Sequence, residues 1–223
     1  MKATDPTATG DRRLDPRIAR SREAILAAAA DLFYADGYAH TSIEDIAARA
    51  GVAKRTVYNV FADKETLFRS LLTTSIDTAT GFARRAADEL EHAGTPEAAR
   101  DALLTVGRRL AATVADGRIV PLRRLVITEA SRFPDLAAQY YAAAPEPVMA
   151  SLARSLERFH RLGWVHAPDP SRAAEHFAFL VLGLTLDSAL FDPEGRAGDP
   201  EEIDHRAVDG VHAFLRAYAP HPA

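Results

Sequence analysis

From Arg17 onward the apolar residues mostly recur three and four positions apart. A period near 3.6 builds helices with one apolar stripe, whereas a half-buried strand needs a period of two. No run of alternating β-branched residues is left over for a strand, and no segment repeats at a fixed period. The fold class that follows is all-α, with about nine helices.

The punctuation between stripes sets the expected boundaries. Residues 1–16 are polar, carry Pro6, Gly10 and Pro16, and read as a flexible arm. Ile18, Ile25, Leu26, Ala29, Leu32 and Phe33 then stripe a first helix, which Gly37 ends. Thr41-Ser-Ile-Glu44 reads as a capping box, with Thr41 capping the next helix and Glu44 reaching back. Ile43, Ile46, Ala47 and Ala50 form its apolar face, and Gly51 breaks it. A short helix near 55–61 turns Val57 and Phe61 inward, and Asp63 caps a long helix from Lys64 towards Glu91. Beyond Gly94, Thr95-Pro-Glu opens a helix reaching Ala115. Gly117 separates it from a helix over 119–132. Phe133-Pro134 opens another, which Pro145 and Pro147 interrupt before it runs on to Leu162. Asp169-Pro-Ser starts a helix to Phe191, and a last one follows the Gly/Pro/acidic loop at 192–200. The expected domains are therefore an arm (1–16), a three-helix unit (17–63) and a larger helical domain (64–223).

Composition excludes several classes. The chain has no Cys, which removes disulfides, thiolate metal sites and a Cys nucleophile, and fits a reducing, cytoplasmic setting. Hydrophobic residues make up 48%, too many for a disordered chain. No unbroken apolar run reaches the roughly 18 residues a membrane span needs, and the first residues lack a signal-peptide apolar region. The net charge of -4 argues by itself against nucleic acid. The charge is uneven, however. Residues 1–70 hold eleven Lys/Arg against ten Asp/Glu, while the rest hold sixteen against twenty-one. No nucleophile elbow, dinucleotide fingerprint, Walker loop or H-E-x-x-H occurs, and the eight His are scattered. His205 and His212 share a spacing of seven, but two ligands do not make a metal site. The expectation is no enzyme, no cofactor and no metal.

Residues 41–61 have helix-turn-helix spacing: a helix, a Gly-led turn and a second short helix. On a helical wheel Arg55, Tyr58 and Asn59 oppose Val57 and Phe61. Arg pairs bidentately with guanine and Asn with adenine, and the hydroxyls of Thr56 and Tyr58 suit phosphate oxygens. Lys54 and Arg55 stand in a first helical turn, where the dipole disfavours cations unless an anion docks beside them. Thr41 and Ser42 offer hydroxyls at the other helix start, and Lys64 offers an ammonium to a further phosphate. Arg12 and Arg13 give the arm a means of reaching an adjacent groove.

The stretch from Thr41 to Phe68, TSIEDIAARAGVAKRTVYNVFADKETLF, closely resembles the N-terminal domain of TetR-type transcriptional regulators. Arg22–Phe33 and Gly37-Tyr38 are similar to that family's first helix, so the resemblance spans about residues 17–70 without a gap. It implies a DNA-binding unit made of Thr41, Ser42, Lys54, Arg55, Thr56, Tyr58, Asn59 and Lys64. Two positions depart from the pattern. Val60 stands where the family usually has a Tyr or His that contacts phosphate, and Ala53 where a Ser or Thr often caps the recognition helix. Leu122–Leu136 resembles the C-terminal domain class named after AefR, which implies dimerisation and small-molecule binding.

The larger domain adds its own signal. Ala174–Phe191 is apolar on most sides, so such a helix needs burial on most sides, and a subunit interface supplies it. Phe179, Leu182 and Leu186 with Val211, Phe214, Leu215 and Tyr218 would form an isologous four-helix interface. Arg124, Glu129, Tyr140, Tyr141 and His176 are the candidate polar points of an effector pocket. The function expected is a ligand-responsive repressor, homodimeric on a palindromic DNA operator with half-sites about 34–36 Å apart. The alternatives are a helical small-molecule-binding dimer without DNA affinity, or a helical cofactor-binding enzyme.

Overall fold

The computed structural model describes residues 16–115, 118–192 and 198–220, and every regular element among them is an α-helix. The arm with Arg12 and Arg13, the break at Gly117 and the loop centre at 193–197 lie outside the described residues. The chain divides into two units, the first ending at Phe68 and the second beginning at Arg69.

The first unit holds α1 (Pro16–His40), α2 (Ile43–Ala50), α3 (Lys54–Phe61) and the start of α4 (Lys64–Glu91). The division falls inside α4, five residues later than the expected boundary at 63. The cause is packing: Leu67 and Phe68 are fully buried, and the Phe68 ring lies 6.0 Å from that of Phe33 and 5.3 Å from that of Tyr38. With Ile25, Ile46, Val57 and Phe61 these rings close a small core. Ile18 is 46% exposed, because the core begins at Ile25, two turns further along α1.

The helix ends follow local chemistry. Gly37 takes φ 80, ψ 165 and kinks α1 where its stripe runs out. The cap of α2 is Ser42, one residue later than expected, and its box partner is Asp45, not Glu44. The Asp45 N–H donates to Ser42 Oγ at 3.1 Å, and the Ser42 N–H donates to Asp45 Oδ2 at 3.2 Å. This register buries Ile43, Ile46 and Ala47 together. Thr41 instead sits in the interior and donates its hydroxyl to the Gly37 carbonyl at 2.9 Å, closing the kink. Gly51 ends α2 at φ 66, ψ 31, a left-handed conformation that costs a residue with a Cβ about 1 kcal/mol or more. Ala62 ends α3 at φ 57, ψ -54, and the Asp63 N–H donates to the Phe61 carbonyl at 2.5 Å. That is a classic-sense γ-turn, a strained one for alanine.

The second unit holds the rest of α4, α5 (Pro96–Ala115), α6 (Ile119–Thr128), α7 (Pro134–Ala143), α8 (Pro145–Arg161), α9 (Pro170–Phe191) and α10 (Pro200–Ala217). The helix expected over 119–132 stops at Thr128, and 129–132 form turns closed by three-residue hydrogen bonds. The helix expected across Pro145 is divided at Ala144. Phe82, Leu103, Leu152, Phe159, Phe177 and Phe214 anchor one continuous core. Two glycines bring helices close: a Cβ on Gly107 would meet Val211 Cγ2 at 2.5 Å, and one on Gly210 would meet the Leu180 carbonyl oxygen at 2.3 Å. An arginine caps one helix end. Arg158 donates to the carbonyls of Leu90 and Ala93 at 2.6 and 3.1 Å, at the end of α4. By length and composition α9 is long and apolar enough to cross a membrane, which the sequence reading did not anticipate. It is packed on α5, α8 and α10, as the core helix of a helical bundle is.

Candidate nucleic-acid interface

The second helix of the helix-turn-helix, α3, is eight residues long and strongly two-sided. Val57 and Phe61 are buried, while Lys54, Arg55, Tyr58 and Asn59 are exposed and Thr56 is half-buried. The hydrophobic positions thus fix the rotation of α3, and the outward face carries a guanidinium, an amide, a phenol and an ammonium. These groups suit base edges and phosphates. No side chain caps the start of α3, since Ala53 makes no cap hydrogen bond. The first N–H groups of α3 therefore lack a side-chain oxygen there, which leaves backbone donors for a docked anion.

Three of the expected phosphate residues have other engagements. Thr41 is buried, so its hydroxyl is withdrawn from the surface. Lys64 donates to the carbonyls of Tyr38 and Thr41 at 2.8 and 2.9 Å, with its ammonium 4.3 Å from the Tyr38 ring centroid. It braces the start of α4 against the end of α1. Lys54 donates to Glu44 Oε1 and stands 5.8 Å from the Tyr58 ring centroid. The Lys54 hydrogen bond holds the Glu44 carboxyl below its ordinary value, and Glu44 raises the lysine in turn. Arg49 pairs with Asp31 at 3.2 Å, whereas Arg55 has no ion-pair partner among the described residues. The Lys54–Glu44 pair escaped sequence reading because ten residues and a turn separate its members. From sequence alone Glu44 reads as a member of the cap instead.

In the second unit the five candidate effector residues have different surroundings. Arg124 donates to the carbonyls of Leu190 and Ala189 at 3.0 and 2.6 Å and to that of Asp192, so it caps the end of α9. Glu129 is half-buried at the end of α6, Tyr140 is buried, and Tyr141 is 60% exposed. His176 is no core histidine: it is exposed on α9, with Nδ1 2.6 Å from the Tyr218 hydroxyl. Burial pushes that phenol up from its ordinary value.

The expected interface residues also part company. Val211 and Phe214 are fully buried within the chain's own core, which removes them from any partner surface. Leu182, Leu215 and Tyr218 pack against that core, and Leu186 is half-buried. Phe179 is exposed, at 74%, and with it Leu180 and Leu184. The outward row of α9 is thus His176, Phe179, Leu180, Gly183 and Leu184, at the i, i+3, i+4 spacing of one helical face. An all-round apolar sequence gave no means of choosing this row over its neighbour.

A three-helix unit with a core-anchored, polar-faced third helix defines a helix-turn-helix DNA-binding regulator, and similarity specifies which kind. Residues 25–71 match the family of bacterial regulatory proteins of the tetR type, and 101–220 match the AefR-like transcriptional repressor C-terminal domain. The chain belongs to the TetR family and is a DNA-binding transcriptional repressor. A TetR-family regulator from Mesorhizobium loti is 33% identical, with a TM-score of 0.77 over 92% of this chain and 100% of that one. The flavonoid-responsive regulator FrrA is 31% identical, with a TM-score of 0.63 over the same shares. A TetR-family regulator from Pseudomonas syringae is 25% identical, with a TM-score of 0.68 over 90% of this chain and 97% of that one. No curated protein matches the chain.

Proposed function

We propose that this repressor acts in the cytoplasm as a homodimer on a palindromic operator, binds through Arg55, Asn59, Tyr58, Thr56, Lys54 and Ser42, and is released by a small molecule. It acts by binding alone, without a catalytic step. The observation that carries the DNA reading is the outward face of α3, held in place by Val57 and Phe61 beneath it. Arg55 and Asn59 read bases, and Tyr58, Thr56, Lys54 and the α2 start at Ser42 position phosphates. Lys64 acts chiefly by bracing α4. The dimer reading is supported by the row of Phe179, Leu180 and Leu184, an apolar face that is exposed among the described residues and of the kind that marks an association surface. The effector reading rests on the C-terminal domain class, and FrrA, a responsive regulator of similar sequence, supports it. An effector works here only by binding the DNA-incompetent dimer geometry more tightly than the competent one.

The test combines footprinting of the chain's own upstream DNA with sedimentation. Arg55→Ala and Asn59→Ala relax sequence preference, each mismatch-scale loss being about 1–3 kcal/mol. Leu184→Glu yields monomers and removes the footprint. A monomeric wild type that footprints normally would overturn the dimer reading.

A further inference from the structure

The cation that opens the recognition helix is already occupied. Residues 16–68 hold seven Lys/Arg and seven Asp/Glu, so this DNA-binding unit carries no net charge. Glu44 lies in the first turn of α2 and Lys54 in the first turn of α3, and the two form an ion pair. Glu44 has no part in the capping box, which is built from Ser42 and Asp45. Among the described residues, its side-chain partner is the lysine that faces outward beside Arg55 and Tyr58.

We infer that Glu44 is an intramolecular competitor for the phosphate seat at Lys54, and that it sets the strength and the salt sensitivity of DNA binding. The inference rests on the DNA-binding reading of α3. A carboxylate and a phosphate are the same kind of partner for an ammonium, so they exclude one another at a single short contact. The pair is open to water on both sides, with side chains 50% and 59% exposed, so it exchanges readily. When DNA takes Lys54, Glu44 is left unpaired beside a polyanion and draws in a cation. That uptake offsets the counterion which the new phosphate contact releases. Each such contact contributes about 0.9 to the slope of log affinity against log salt. The wild-type slope is therefore flatter by about one contact than the number of docked phosphates implies.

The test uses the full chain in four forms: wild type, Glu44→Gln, Lys54→Gln and the double variant. The probe is a random-sequence duplex of about 30 base pairs, titrated by fluorescence anisotropy from about 50 to about 200 mM salt. Glu44→Gln tightens binding about two- to fivefold at the lowest salt and steepens the slope by about 0.9. Lys54→Gln weakens binding and leaves the slope near the wild-type value, because the contact it removes and the cation uptake it removes cancel. In the Lys54→Gln background the Glu44→Gln gain falls by at least half. Glu44→Ala, which removes the acceptor altogether, behaves as Glu44→Gln does, and circular dichroism checks that α2 survives. An equal gain in both backgrounds overturns the inference, because Glu44 would then repel DNA without acting through Lys54. Unchanged affinity and slope in Glu44→Gln also overturn it. Failure of the wild type to hold either its own upstream DNA or the random duplex at the lowest salt overturns the DNA-binding reading itself, and the inference with it.

Discussion

Gly210 is where the structure most sharply limits what the sequence can change. A Cβ built there stands 2.3 Å from the Leu180 carbonyl oxygen, 2.7 Å from its carbon and 3.0 Å from the Val181 nitrogen. An ordinary C···O contact is about 3.3–3.6 Å, so Gly210→Ala requires α9 and α10 to part by about 1 Å. The obstacle is helix backbone, and no rotamer change relieves it. A gap of about that size forfeits a quarter to a half of the dispersion energy of the contacts it opens. Those contacts join buried side chains at the same crossing, among them Phe177, Val181, Val211 and Phe214. Overpacking of this kind costs about 1–3 kcal/mol, and a backbone obstacle places it near 3. Alanine's helix propensity returns about 0.5–1 kcal/mol. The expected net loss is about 2–2.5 kcal/mol. The single tryptophan, Trp164, packs on Phe159 with ring centroids 5.5 Å apart and so reports the second unit alone. Urea unfolding followed by its fluorescence, at matched protein concentration, measures the loss. A midpoint within about 0.5 kcal/mol of wild type would refute the close-approach reasoning.

Ala62→Gly acts in the opposite direction. It relieves about 1–2 kcal/mol of left-handed strain and gives back about 0.4–1 kcal/mol through the unfolded chain, so the first unit gains about 1 kcal/mol, read as a raised melting temperature by far-ultraviolet dichroism. Acid destabilises the fold in a defined window. The Asp63 carboxylate is held below its ordinary 3.8 by the Thr66 N–H, and Asp169 below the same value by the Arg172 N–H. With folded values below unfolded ones, the folded chain binds fewer protons, so their contribution is full above 3.8 and disappears as pH falls through the lowered values. The melting temperature should fall steeply below that point, and Asp63→Asn with Asp169→Asn should shrink the fall; equal falls in both proteins would remove the assignment.

What could be read from sequence was what a single helix decides for itself. Apolar period and Gly or Pro punctuation located Gly37, Gly51, Val57 and Phe61 correctly, because stripe and stop signals are local. The cap of α2 slipped by one residue because Thr41-Ser42 offers two hydroxyls in succession, and only the burial of Ile43 selects the second. Interactions between helices were beyond reach. Arg124 looked like a pocket residue, since nothing within α6 records that the end of α9 lies against it. Val211 and Phe214 looked like interface, since an apolar stripe does not say whether its cover comes from the same chain. The Lys54–Glu44 pair belongs to this same kind of information.

The cancelled charge of the first unit bears on how such a repressor switches. A unit with no net charge and an occupied Lys54 grips the phosphate backbone weakly by itself, because non-specific affinity comes almost wholly from uncompensated cations. In the proposed dimer, its hold on an operator comes from base contacts by Arg55 and Asn59 and from linking two units. Linking makes the second contact intramolecular and multiplies affinity by about 10²–10⁴, and that factor vanishes when geometry forbids simultaneous engagement. Weak halves thus make the switch effective. Under the proposed mechanism a change of spacing alone releases the operator, with no need for the effector to disturb a single DNA-contacting residue. A strongly basic unit would stay on DNA through one half, and the same change of spacing would accomplish little. Glu44 on this view serves the switch as much as the binding: raising the affinity of each half by Glu44→Gln should leave more residual DNA binding in the released state than in the wild type.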